Sequence, residues 1–132
     1  MCVGCAGTAE GSQVDVVLKR AYEPAAESDG YRVLIDRIWP RGVTKNQARL
    51  DEWARELAPS TELRRWFGHD PERFEEFRRR YVEELAAEGE KLDELGDRAS
   101  SGRVTLVYGA HDREHNDAVV LAELLRTEEG PR

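Results

Sequence analysis

Two short apolar runs constrain this chain most: Tyr31–Ile38 (YRVLIDRI) and Arg103–Tyr108 (RVTLVY). Within them Val33-Leu34-Ile35 and Leu106-Val107 follow one another without polar alternation. A strand patterned this way must be covered on both faces, as parallel strands in α/β domains are. A third β-branched run, Val14–Lys19 (VDVVLK), reads as a strand before them. The residues between the two main runs carry helical periodicity. The order strand, strand, several helices, strand, helix therefore predicts an α/β fold, a small layered domain whose short, at least partly parallel sheet is covered by helices.

The helices are readable from caps and spacing. Trp39-Pro40-Arg41-Gly42 stops the second strand, because proline lacks the ladder donor and glycine allows a sharp turn. Thr44 with Gln47 predicts a capping box, with a helix continuing from Ala48 to Leu57 and Leu50, Trp53, Ala54 and Leu57 on one face. Ser60 is expected to cap a short helix carrying Leu63, Trp66 and Phe67, and Asp70-Pro71 to open the next. There Phe74, Phe77, Tyr81 and Leu85 recur at three and four residues as a core-facing stripe. Leu92, Leu95 and Ala99 predict another helix. A last one starts at His115 or Asn116 and packs through Ala118, Val119, Ala122 and Leu125.

A chain of 132 residues fits one domain. The expected organisation is a loose leader over 1–13, one domain over 14–127 and a tail over 128–132. No stretch approaches 18 apolar residues and no signal-peptide core is present, so the expectation is a soluble, cytoplasmic protein with no membrane partner. Asp and Glu outnumber Lys and Arg by 27 to 20, a net charge of −7 that disfavours broad attraction to nucleic acid. Lysine occurs only at Lys19, Lys45 and Lys91, so the positive charge is almost all arginine, whose rigid donor fork suits carboxylate or phosphate.

Two polar clusters follow the two main strands: Asp36-Arg37-Ile38-Trp39-Pro40-Arg41-Gly42, and Tyr108 through Asn116 (YGAHDREHN). If the strands are parallel, both clusters lie at one carboxyl edge, where open α/β sheets place ligands. Asp36, set in an apolar strand, must be paired or carry a raised pKa. Its readings are an acid/base group beside an Arg37 and Arg41 anion clamp, or a structural ion pair with one of those arginines. His111 and His115 offer acid/base groups, and with Asp112 they place nitrogen and oxygen ligands within five residues. They are also weak metal candidates, because there is no HExxH and no third spaced His or Glu completes a zinc site. Asp112 also suits a helix N-cap, and a helix start presents N–H groups to an anion. Trp39, His69, Tyr108, Asp112 and Asn116 complete the ligand-binding candidates. Arg64, Arg65 and Trp66 share one short helix, which cannot turn all three inward.

Cys2 and Cys5 form a CxxC pair with no strand before it. A disulfide, a metal site shared with other groups and two inert thiols all fit it, and an inert pair is the simplest. GxGxxG, GxxxxGK[ST] and GxSxG are absent, so dinucleotide, nucleotide-triphosphate and serine-hydrolase chemistry lose weight and no cofactor is specified.

Across residues 14–126 the chain resembles the domain-of-unknown-function family 488 (DUF488), the YeaO-like proteins. The resemblance rests on Asp36-Arg37-Ile38-Trp39-Pro40-Arg41-Gly42, Leu57-Ala58-Pro59-Ser60, Trp66-Phe67-Gly68-His69-Asp70-Pro71, Arg80-Tyr81 and His115-Asn116 before Ala118-Val119-Val120-Leu121. It implies a small α/β protein of bacteria or archaea and assigns no reaction. Family members are sometimes labelled transcriptional regulators, yet this chain has no persuasive helix-turn-helix. His111 stands where the family often has Lys or Arg, and the Cys2–Cys5 leader lies outside the family pattern.

Three functional readings follow. The first is a protein that binds, and in its fullest form processes, a phosphorylated or carboxylated small molecule or nucleotide at the sheet edge. The second is a noncatalytic anion-sensing or protein-interaction module. The third, a nucleic-acid-associated role, requires Arg64, Arg65, Arg78 and their neighbours to form one positive stripe.

Overall fold

The central strand is the one that arrives last. In the computed structural model, which describes residues 14–128, a four-stranded sheet forms from β1 (Val16–Arg20), β2 (Tyr31–Leu34), β3 (Glu52–Trp53) and β4 (Val104–Tyr108). The order is β1-β4-β2-β3 and every pairing is parallel. Val104 stands beside Val16 on one side and Tyr31 on the other, while Leu34 pairs with Val107 and Trp53. The leader over 1–13, with Cys2 and Cys5, and the tail beyond 128 lie outside the described residues.

Alternation along the strands divides two unequal cores. Val33, Ile35, Val104 and Leu106 join the large cluster, together with α3 (Phe74–Leu85), α4 (Gly89–Ser101) and α5 (Asp117–Glu128). Leu34 and Val107 face the other way and meet Ala21, Trp39, Val43, Leu50 and Trp53. That second layer is thin and contains a buried charge network. Arg32 donates from Nη1 to Asp29 (2.6 Å) and from Nε to the Ala48 carbonyl (2.8 Å), and Lys19 pairs with Asp29 from the opposite side. These bonds offset the cost of removing an arginine and an aspartate from water.

The expected stripe on α3 is buried at Phe74, Phe77, Tyr81 and Leu85, and α4 buries Leu92, Leu95 and Ala99. Ser60 caps α2 (Thr61–Phe67) by accepting the Leu63 N–H, and Asp70 caps the 3-10 turn that leads into α3. Asn116, rather than Asp112, caps α5, accepting the Val119 N–H at 2.9 Å.

Two sequence expectations are corrected. The helix over 48–57 does not form. The Thr44–Gln47 capping box is present, but α1 (Lys45–Ala48) lasts one turn and ends at Arg49, whose φ of 48° is left-handed. Leu50 and Trp53 then pack under the sheet while Ala54 and Leu57 enter the main core, so their helical spacing was shared between a short strand and a 3-10 turn. β2 also stops at Leu34, not Ile38. Ile35 still donates to the Val107 carbonyl, but the next donor, the Gly109 N–H, is taken by the Asp36 side chain. The ladder thus passes from backbone to carboxylate, which turns the chain outward.

No helix among the described residues is long and apolar enough to cross a membrane.

Candidate functional site

Because β2 and β4 are parallel neighbours, the chain leaves both at the same edge. The segments that follow them enclose a cleft of about 490 Å³, completed by α2, α3 and the first turn of α5. Phe67, Phe77, Ile38, Ala58 and Pro59 give it apolar walls. Asp36, Asp112, Asp117, Arg37, Arg64, His69 and His111 supply its charged and titratable groups.

Asp36 is held from several directions. Its Oδ2 accepts the Gly109 N–H at 2.8 Å, and its carbonyl accepts the Trp53 indole N–H at 2.7 Å. Neither Arg37 nor Arg41 pairs with it. Its carboxyl group instead shares a hydrogen bond with that of Asp117. Burial pushes the Asp36 pKa up, opposed by the Asp117 and Gly109 hydrogen bonds and by the charges of Arg64 and His69. Asp117 is pushed well above the usual carboxylate range, first by burial and then by the adjacent Asp36. Two carboxylates this close resist ionising together, so the pair retains a proton where isolated aspartates are fully charged.

The basic groups lie on separate elements. Arg37 follows β2 and reaches the Pro59 carbonyl (3.4 Å), and Arg64 projects from α2. Among the described residues neither is in an ion pair, whereas Arg78, Arg79 and Arg80 on α3 pair with Glu75, Glu123, Glu76 and Glu83. His69 has a φ of 58° and follows Gly68 at 54°, a left-handed pair that turns the chain between α2 and α3. Histidine tolerates this region better than most residues, but the conformation still costs free energy. His111 is exposed, with Nδ1 3.4 Å from Arg20, while Arg20 Nε donates to the Ala110 carbonyl.

The cleft gathers Asp36, Arg37, His69, His111, Asp112 and Asn116 from the residues singled out in the sequence. It leaves out Trp39, Arg41, Tyr108 and His115. Trp39 packs against Trp53 (5.3 Å between centroids) on the opposite face of the sheet and donates to the Val43 carbonyl. Arg41 is exposed away from the cleft, and Tyr108 is buried in the main core. His115 lies edge-on to Phe74 and bonds through Nδ1 to Asp112 (2.9 Å). Asp112 accepts the Glu114 and His115 N–H groups, and these bonds hold its pKa down. Among the described residues no three His, Cys, Asp or Glu side chains are grouped to hold a metal ion.

The start of α5 differs from the expected anion cradle. Asn116 takes the Val119 N–H and Asp117 takes the Ala118 N–H, so these two donors at the helix start are already engaged by neighbouring side chains. Asp117 itself was not singled out from the sequence. The residues Asn116-Asp117 before an apolar run carry a capping signal, and nothing local marks the second of them as the partner of Asp36.

Fold and cleft together define a small parallel α/β protein with a mixed-charge pocket at the carboxyl edge of its sheet. The chain belongs to the DUF488 family: a family model described as "Inactive DUF488-N3 subclade" matches residues 15–130. It is similar to the uncharacterized protein YeaO of Escherichia coli (strain K12), 44% identical over 114 residues that cover 86% of this chain and 99% of YeaO. The uncharacterized protein Rv3073c of Mycobacterium tuberculosis (strain H37Rv) is 44% identical over 110 residues, covering 83% and 92% of the two chains. No solved structure matches the chain.

Proposed function

We propose that this protein binds a small phosphorylated or carboxylated molecule in the cleft at the carboxyl edge of its sheet and does not turn it over. The observation that carries the reading is a ligand-sized cavity at whose wall two guanidinium groups, Arg37 and Arg64, lack ion-pair partners among the described residues. Pockets for metabolites are mostly apolar with a few polar groups that fix orientation, and a volume of about 490 Å³ falls within their usual size. Unpaired arginines against such a wall suit an anionic group. The family description as an inactive subclade favours binding over catalysis.

Two further observations support this ordering of the readings. His115 is engaged by Asp112 and Phe74, which removes one acid/base candidate from the cleft. The arginines of α3 are neutralised by neighbouring glutamates, which breaks the positive stripe that nucleic-acid binding needs. The direct test is calorimetric titration with phosphorylated and carboxylated metabolites, followed by product analysis after long incubation. The reading expects saturable binding, about tenfold weaker in Arg64→Ala in keeping with loss of one charge-assisted contact, and unchanged ligand after incubation. Binding unaffected by Arg64→Ala, or conversion of the ligand, contradicts it.

A further inference from the structure

We infer that the cleft selects phosphorylated sugars: Arg37 and Arg64 hold the phosphate, and the Asp36–Asp117 carboxyl pair accepts hydrogen bonds from ligand hydroxyl groups. The inference rests on the binding reading above and narrows it to one ligand class.

A phosphate against the aspartate pair meets like charge in a site of reduced dielectric, so the pair and the anion must occupy different parts of the cleft. The guanidinium groups come from two elements, the segment after β2 and helix α2, and His69 and His111 add two more nitrogen-bearing rings. Donors spread over four chain segments match the several oxygens of a tetrahedral phosphate better than the two coplanar oxygens of a carboxylate.

The other end of the ligand is set by what the aspartates have left to offer. Asp36 Oδ2 already accepts from Gly109, Asp117 accepts from Ala118, and the two carboxyls share a hydrogen bond. Each carboxyl oxygen has two acceptor sites, so the free capacity of the pair is for accepting hydrogen bonds. It therefore seeks a neutral donor, and a hydroxyl group fits without bringing further negative charge. Phe67, Phe77 and Ile38 also line the cleft and offer apolar surface to the face of a ring. The cavity of about 490 Å³ is far larger than a phosphate ion needs. One molecule that satisfies all three zones carries phosphate, ring and hydroxyls, as free sugar phosphates and nucleotides both do.

The test is calorimetric titration of the full chain with inorganic phosphate, ribose 5-phosphate and adenosine 5′-monophosphate. Ribose 5-phosphate is expected to bind about tenfold or more tightly than inorganic phosphate, the gain of one or two hydroxyl contacts. Asp36→Asn and Asp117→Asn are expected to reduce that preference at least about fivefold, with inorganic phosphate binding retained or tightened because negative charge is lost from the cleft. If either variant fails to fold, the preference in the wild-type protein decides. Equal affinity for phosphate and ribose 5-phosphate, with both weakened by Arg64→Ala, overturns the sugar selectivity and leaves the anion-binding reading intact. No binding of any probe overturns both. Tighter binding of the nucleotide than of ribose 5-phosphate supports the inference and assigns the apolar wall to a base, and equal binding supports it with free sugar phosphate as the ligand.

Discussion

The carboxyl group of Asp36, just past the end of β2, shares a hydrogen bond with that of Asp117 in the first turn of α5. The relationship ties the second strand to the last helix across the mouth of the sheet. It also places a proton-retaining pair inside a cleft that further offers arginine, histidine, Asp112, Asn116 and apolar surface. Its consequences for stability and binding are open to measurement.

The pair makes stability depend on pH with a definite sign. Both folded-state pKa values are raised by burial, so between the ordinary aspartate value of about 3.9 and the raised values the folded state binds more protons than the unfolded one. The stabilisation from the protonated pair is complete below that ordinary value and is lost as pH rises through the folded values. Asp117→Asn removes the like charge, so its melting temperature should exceed wild type by a few degrees at pH 8, on the order of 1 kcal/mol, with the advantage shrinking toward pH 4. Thermal melts from pH 4 to 8 check this. An equal difference at every pH contradicts it.

Gly109 is a second test of the pair. A Cβ built there would sit 3.2 Å from Asp36 Oδ2, tighter than an ordinary contact. Gly109→Ala should press the carboxyl away from the Gly109 N–H and cost about 1–2 kcal/mol of stability, comparable to mild overpacking. Urea unfolding measures the loss.

Trp53 acts on the same aspartate from beneath the sheet. Its indole N–H donates to the Asp36 carbonyl at 2.7 Å, and the Arg55 guanidinium lies 4.3 Å over its ring. Trp53→Phe keeps ring packing but removes the donor. It should cost about 1–2 kcal/mol by denaturant unfolding and weaken ligand binding by loosening Asp36.

The sequence made much of this fold legible, for specific reasons. The strands ending at Arg20, Leu34 and Tyr108 are announced by β-branched runs, and the helices by Ser60, Asp70 and the Phe74–Leu85 stripe. β3 is hidden because it has only two residues and its apolar neighbours fall at helical spacing. The convergence of the post-strand clusters at one edge follows from parallel pairing of β2 and β4. Side-chain direction beyond a strand end depends on the turn, which local pattern does not encode. Trp39 therefore goes beneath the sheet while Arg37 reaches the cleft. Arg64 was visible only as one of three neighbours on a short helix, and Asp117 only as an acid at a helix start.

The most direct measurement of the central claim is amide chemical-shift mapping of the isotopically labelled chain during titration with ribose 5-phosphate. Saturable shifts centred on Asp36, Arg37, Arg64, Gly109 and His111 are expected, with the Gly109 amide moving because its acceptor carboxyl takes on a ligand hydroxyl. Shifts centred away from these residues, or none at millimolar ligand, would contradict it.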